Sequence, residues 1–201
     1  MVGFLFFIDR LSAAVGKAFG WCIVVLTLGT CYEVFMRYVL RMPTSWAFDV
    51  SYCMYGALFM MAGAYTLSRN GHVRGDVVYR LLPTRTQAGI DLVLYLIFFF
   101  PGFLALLIYG IPYAMTSYMI QEVSVYSPAG IPIWPLKALI PITALGMLLQ
   151  GVAETIRCII CLRDGAWPQR LHDVEEMESA ILADQEARAQ STGQQSAVGA
   201  A

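Results

Sequence analysis

The sequence predicts an all-α integral membrane protein. We expect four transmembrane helices, an N-terminal amphipathic helix at the membrane interface and a short cytoplasmic C-terminal helix. Two observations support this: the chain contains four long apolar runs, and nearly all of its charges fall between or beyond them. Each run is close to the roughly 20 residues that a helix needs to cross a hydrocarbon core about 30 Å thick. Helices also satisfy their own backbone hydrogen bonds in lipid.

The composition agrees with this class. Apolar residues make up 58% of the 201 residues, charged residues only 13%, and the mean hydropathy is +0.63. A net charge of −1 gives no basic surface for nucleic acid. Cys158 and Cys161 form a lone Cys-x-x-Cys pair without further ligands nearby, so we expect no metal, no cofactor and no disulfide framework. The sequence shows no nucleophile with a matching base, so this pattern gives no indication of an enzyme.

The first element is a predicted amphipathic interfacial helix over 1–17. Its apolar residues recur on one side at helical spacing, and Asp9, Arg10 and Lys17 fall mostly off that stripe. The alternative is that this segment simply extends the first span. A four-helix transmembrane domain follows over 18–165. Its predicted spans cover residues 18–36, 46–67, 90–111 and 136–161.

Proline positions and local composition predict the features of the third span, the connection after it and the C-terminal tail. Pro101-Gly102 near the middle of the third span predicts a kink or a local loosening of that helix. The connection 113–133 is long, aromatic and interrupted by prolines, and it either caps the outer ends of the spans or offers a docking surface. In the cytoplasmic tail 166–201, the acidic segment 171–189 has apolar residues at helical spacing and predicts a short helix. The small polar residues 191–201 predict disorder.

The basic residues predict the orientation. Lys and Arg precede the first span, lie between the second and third spans and follow the fourth, whereas the connection between spans three and four has none. The positive-inside rule then places both termini and the second loop in the cytoplasm of a bacterial inner membrane. The first and third loops face outward.

Three charged residues lie at membrane depth, where ionisable groups are costly and usually paired. Glu33 and Arg37 are four residues apart and share a helix face. Asp49 lies in the first turn of the second span, where the helix dipole favours a carboxylate. We predict that the three form a structural cluster that holds spans one and two together; ion or proton passage is the lesser alternative.

The second loop carries His72, Arg74 and Asp76 in alternation. The segment 70–82 is predicted to be a turn followed by an amphipathic stretch along the inner interface. His72 has a side chain that titrates near neutral pH. A single loop histidine is, however, more often a hydrogen-bonding residue than a switch.

A resemblance to a known family rests on motifs between residues 33 and 83. They are Glu33-x-x-x-Arg37-Tyr38, Pro43-x-x-Trp46-x-x-Asp49, Gly71-His72-Val73-Arg74-x-Asp76 and Leu82-Pro83. Their order and spacing resemble the DctQ-like small membrane subunit of tripartite ATP-independent periplasmic (TRAP) transporters. Downstream, Ser127-Pro128-Ala129-Gly130 and Trp134-Pro135 resemble the longer-loop branch of that family. Asp49 departs from the pattern, since the family usually has Glu there.

The resemblance implies a non-catalytic scaffold subunit of a sodium-coupled transporter that imports organic acids, often carboxylates. The implied partners are a large multi-span membrane subunit, which holds the substrate and sodium sites, a periplasmic substrate-binding protein and membrane lipid. The outer loop is then the predicted docking site for the binding protein. Its candidate residues are Glu122, Tyr126, Pro128 and Trp134.

The sequence argues against two other functions. An autonomous four-span transporter would use Glu33 as its coupling carboxylate, but Arg37 is placed to pair with it. A four-helix cytochrome would need histidines inside the spans, whereas His72 and His172 both lie in predicted cytoplasmic segments.

Overall fold

The computed structural model describes residues 2–69, 71, 79, 81–126, 128–168, 181 and 185. Its helices are α1 (Val2–Gly20), α2 (Cys22–Tyr38), α3 (Ala47–Ser68), α4 (Thr84–Leu94), α5 (Phe100–Met119) and α6 (Trp134–Asp164). A π-helical turn, Tyr95–Phe99, joins α4 to α5. Four continuous helical runs are long and apolar enough to cross a membrane: Gly3–Tyr38, Ala47–Ser68, Thr84–Met119 and Trp134–Asp164. The all-α membrane class is confirmed.

The helices are arranged as a row in the order α2, α3, α6 and α5. α3 packs against α1, α2 and α6, and α6 packs in addition against α1, α4 and α5. Small residues lie where the helices approach closely: Ala88, Ala144, Ala153 and Cys161 have no exposed surface. We call the end with the 120–133 loop the loop end, and the end where α1 begins and α6 stops the terminal end.

α1 packs against other helices along a mixed face that buries Leu5, Ile8, Asp9 and Ser12, whereas Arg10 and Lys17 are exposed. It leads directly into α2, because Trp21 keeps right-handed helical backbone angles of φ −65° and ψ −18°. Asp9 is buried, whereas Phe4 and Phe7 on the apolar stripe are exposed. The difference arises because α6 offers Arg157 as a partner for Asp9. α1 is therefore attached to the other helices by specific contacts, and its placement at the membrane interface stays a prediction.

The third span is longer than predicted and contains an irregularity near its proline. Pro101 has no backbone N–H to offer the carbonyl of Ile97, and the π-helical turn lies at this point in the helix. Pro112, in contrast, does not end the helix, which continues to Met119. The predicted loop over 113–133 is thus shortened at its start by one helical segment, and the connection covers 120–133.

Two predictions fall on parts of the chain outside the described residues. The first is the cytoplasmic loop motif of His72, Arg74 and Asp76. The second is the acidic helix predicted within 171–189. Both stay predictions.

Candidate functional site

The first polar site lies at the loop end of α2. Arg37 donates from Nη2 and Nε to Oε1 of Glu33, at 2.5 Å and 3.0 Å. The other Glu33 oxygen, Oε2, accepts the backbone N–H of Thr44 at 3.0 Å and also its hydroxyl. Glu33 therefore joins the end of α2 to the connection that leads into α3.

Asp49, the third member of the predicted cluster, forms a hydrogen bond with the loop between α5 and α6. Asp49 is 1% exposed, and its Oδ1 accepts a hydrogen bond of 2.7 Å from the Ser124 hydroxyl. The structure thus pairs Glu33 with Arg37 and ties Asp49 to the loop between α5 and α6. No local sequence signal could have indicated Ser124, which lies 75 residues further along the chain.

The loop over 120–133 folds as a short hairpin. Val123 and Pro132 form an isolated antiparallel bridge, and the Ser124 N–H donates to the Ile131 carbonyl at 2.8 Å. Gly130 has a positive φ of 61°, a conformation that glycine adopts without strain. Together with the Asp49–Ser124 bond, these contacts hold the loop against α3.

The four predicted docking residues separate into two pairs. Glu122 accepts from Lys137 Nζ at 2.6 Å and 2.7 Å, and this neighbouring ammonium lowers the pKa of the Glu122 carboxyl. Trp134 packs edge-on against Tyr118, with ring centroids 5.2 Å apart. Tyr126 and Pro128 are exposed, as is Val125 at 87%, a residue that the sequence analysis did not single out.

A buried polar network joins α1 to α6 at the terminal end, and the sequence analysis did not predict it. Arg157, 1% exposed, donates to a carboxylate oxygen of Asp9 and, at 2.5 Å, to Glu154. Gln150 donates to Asp9 at 3.0 Å and to Glu154 at 3.3 Å, and it accepts from Ser12 at 2.9 Å. The spacing Gln150, Glu154, Arg157 on one helix face was the available signal.

This network is built to hold helices together. Two carboxylates surround one guanidinium, and a single amide bridges both acids. Buried charges of this kind are stable only when they are paired and hydrogen-bonded. Among the described residues, no group of three metal-ligating side chains occurs here or elsewhere.

Removing the Arg37 side chain should weaken the loop end. In Arg37→Ala, Glu33 keeps its two bonds to Thr44 but loses its cation at the end of the span. We expect a lower thermal midpoint of the purified protein and a lower yield in complex with its membrane partner. Arg41→Ala, a nearby exposed arginine, is the matched control. Unchanged stability and unchanged complex assembly of Arg37→Ala would contradict the structural role.

Comparison with known proteins adds one finding. A family model described as "Tripartite ATP-independent periplasmic transporters, DctQ component" matches residues 26–161. No curated protein matches the chain. The matched region contains α3, α4, α5 and most of α2 and α6. It includes the loop-end site and the α6 members of the buried network, but not Asp9 and Ser12 of α1.

Proposed function

Since the chain belongs to the DctQ family, the small membrane component of tripartite ATP-independent periplasmic transporters, we propose that it acts as the fixed scaffold of a sodium-coupled importer of organic acids. In this proposal it packs beside the large membrane subunit, which carries the substrate. Its loop end faces the periplasm and helps to dock the substrate-binding protein. Both termini lie in the cytoplasm.

The observation that carries the scaffold role is the row of helices. α2 and α5 lie at its two ends, and apolar side chains cover their exposed faces. Within the described residues, a single row encloses no space through which a polar solute could cross the bilayer. Such a row offers long apolar surfaces to a second membrane protein, which is what a scaffold requires.

The position of Glu33 argues against the competing transporter function. A coupling carboxylate has to be free to bind and release a proton or a cation. Both oxygens of Glu33 are instead occupied, one by Arg37 and the other by Thr44. This arrangement supports a structural carboxylate rather than a carrier.

The loop supports a docking role through its shape and its exposed side chains. Val125 and Tyr126 lie between the paired residues of the hairpin and are exposed. Exposed apolar groups on a water-facing surface commonly mark sites of protein contact. The Val123–Pro132 bridge and the Asp49–Ser124 hydrogen bond already hold the loop in one conformation. Binding of a partner would therefore cost little conformational entropy.

Reconstitution tests the proposal. The chain alone, the chain with its large subunit, and both with the binding protein are placed in liposomes. Uptake is measured for a labelled carboxylate that raises the melting temperature of the binding protein. We expect sodium-driven uptake with all three components and none with the chain alone. Uptake by the chain alone that is lost in Glu33→Gln would establish the autonomous transporter instead.

Thiol labelling tests the orientation. In a background without the native cysteines, Val125→Cys at the loop end and Ala166→Cys at the terminal end are both exposed positions. An impermeant maleimide should label the first in intact spheroplasts and the second only after lysis. The reverse pattern would invert the proposed topology.

A further inference from the structure

α1 leaves an amphipathic face open at the terminal end. Phe4, Phe7 and Leu11 are 53%, 64% and 46% exposed, and their spacing places them in one stripe along the helix. Arg10 and Lys17 are exposed beside this stripe, and neither has an ion-pair partner among the described residues. The face therefore combines apolar surface with two cations.

The beginning of α1 lies beyond the end of α3. α3 has 22 residues, so it is about 33 Å long and crosses the hydrocarbon core by itself. α1 runs back along α3, and Gly16 meets Tyr65 about one helical turn before α3 ends at Ser68. Phe7 lies about 14 Å further towards the terminal end than Gly16, and thus about 9 Å beyond Ser68.

α6 gives the same level independently. Met147 of α6 faces Gly63 of α3, which lies about 8 Å before the end of that helix. Arg157, the partner of Asp9, lies about 15 Å beyond Met147. The pair is therefore about 8 Å past the end of α3, at the depth of the headgroup layer. The apolar stripe of α1 begins further out, so acyl chains do not account for its exposed rings.

The C-terminal segment 171–189 has the complementary pattern. Val174, Met177 and Ile181 repeat the spacing of the stripe on α1. Ile181, which the structure describes, is helical and 58% exposed. An anionic lipid surface repels an acidic segment, whereas the cations of α1 attract it. The acidic residues around these apolar positions are Asp173, Glu175, Glu176, Glu178, Asp184 and Glu186.

The tail also starts close to this face. Ile160, near the end of α6, packs against Leu5 and Ile8 of α1. The described chain continues to Pro168. From there, the linker to Val174 can span up to about 20 Å, so the segment can reach the beginning of α1.

We propose that segment 171–189 packs as a helix on the exposed face of α1. Its apolar stripe covers Phe4, Phe7 and Leu11, and its carboxylates lie beside Arg10 and Lys17. This contact removes apolar surface from water. Because a short linker joins the two partners, their effective concentration is high and weak contacts suffice. The contact does not depend on the scaffold role, because both partners belong to this chain.

Disulfide trapping tests the contact in the full-length protein. The chain is placed in nanodiscs, where both membrane faces are accessible, in a background without the native cysteines. Phe7→Cys with Met177→Cys should form an intramolecular disulfide rapidly under copper phenanthroline. Phe7→Cys with Gln194→Cys is the control. Its longer linker also reaches α1, but that position lies outside the segment, so crosslinking should be slower.

Charge reversal tests the complementarity. Arg10→Glu with Lys17→Glu should slow the crosslinking of Phe7→Cys to Met177→Cys about fivefold, since two exposed ion pairs are lost. Adding Asp173→Lys and Glu178→Lys to the reversed protein should restore the rate. Arg41→Glu reverses an exposed arginine at the loop end and should leave the rate unchanged.

Thiol footprinting distinguishes the tail from the bilayer. Phe7→Cys alone is treated with a water-soluble maleimide in nanodiscs. Met177→Asp with Ile181→Asp should raise its alkylation rate severalfold, because the segment no longer covers the thiol. Ala180→Asp with Ala183→Asp adds the same charges outside the apolar stripe and should leave the rate low.

Three results would overturn the proposal. The first is equal crosslinking of Phe7→Cys to Met177→Cys and to Gln194→Cys. The second is disulfides that form only between chains when singly substituted proteins are mixed, since a second copy would then be the occupant. The third is alkylation of Phe7→Cys that Met177→Asp with Ile181→Asp leaves unchanged, as expected if the bilayer covers α1.

Discussion

Replacing Arg157 by Met is expected to destabilise the protein by about 3–5 kcal/mol, the usual cost of removing one partner from a buried ion pair. Asp9 and Glu154 would keep their carboxylates in a buried site that no longer contains a cation. For a chain of this length, each kcal/mol corresponds to a shift of about 2–4 °C in melting temperature. The measurement is the thermal midpoint of the purified protein in mild detergent.

Two controls make this result specific. Arg163→Met changes the same residue type on the same helix, but that side chain is 88% exposed, so its effect should stay within about 0.5 kcal/mol. The triple variant Asp9→Asn, Glu154→Gln, Arg157→Met removes all three charges together. It should recover much of the lost stability, since no buried charge is then left unpaired. Equal midpoints for Arg157→Met and Arg163→Met would refute the network's role.

Replacing Gly151 by Leu is expected to push the π-helical turn, which contains Phe99, away from α6. A Cβ at this position would lie 2.4 Å from Cε1 of Phe99, closer than real Cβ contacts allow. Overpacking of a tight interface costs about 1–3 kcal/mol and occasionally more. We expect a lower thermal midpoint and a lower yield of the complex with the large subunit.

Gly102→Leu is the matched control for this substitution. It introduces the same side chain on α5, where a Cβ would meet no atom within 4 Å. A leucine there faces lipid and favours the helix more than glycine does. Gly102→Leu should therefore match or exceed the wild-type midpoint, and a Gly151→Leu protein as stable as Gly102→Leu would show that the close approach to Phe99 is unimportant.

Much of the fold could be predicted from the sequence because lipid imposes one dominant constraint. Long apolar runs had to be helices, and their number followed from counting them. Helix ends were harder to predict. The third span was predicted to stop at 111, yet α5 continues through Pro112 to Met119, because one missing N–H does not end a helix in an apolar setting.

The polar sites were only partly predictable, because some of their partners lie far apart in the sequence. Glu33 and Arg37 are four residues apart, so helix geometry alone brings them together. Asp49–Ser124 and Asp9–Arg157 join residues 75 and 148 positions apart. No periodicity within one helix reports which distant helix will lie beside it, so the sequence indicated no partner for Asp9.

The Asp9–Arg157 pair has a consequence for biosynthesis. Ribosomes add about 5–20 residues each second, so the 148 positions between the two residues take roughly 7–30 s to translate. During that interval Asp9 lacks Arg157, the guanidinium that it pairs with in the folded protein. The amino-terminal segment can settle into its groove only once the last helix has entered the bilayer, and the insertion of the final span thereby closes assembly of the whole subunit.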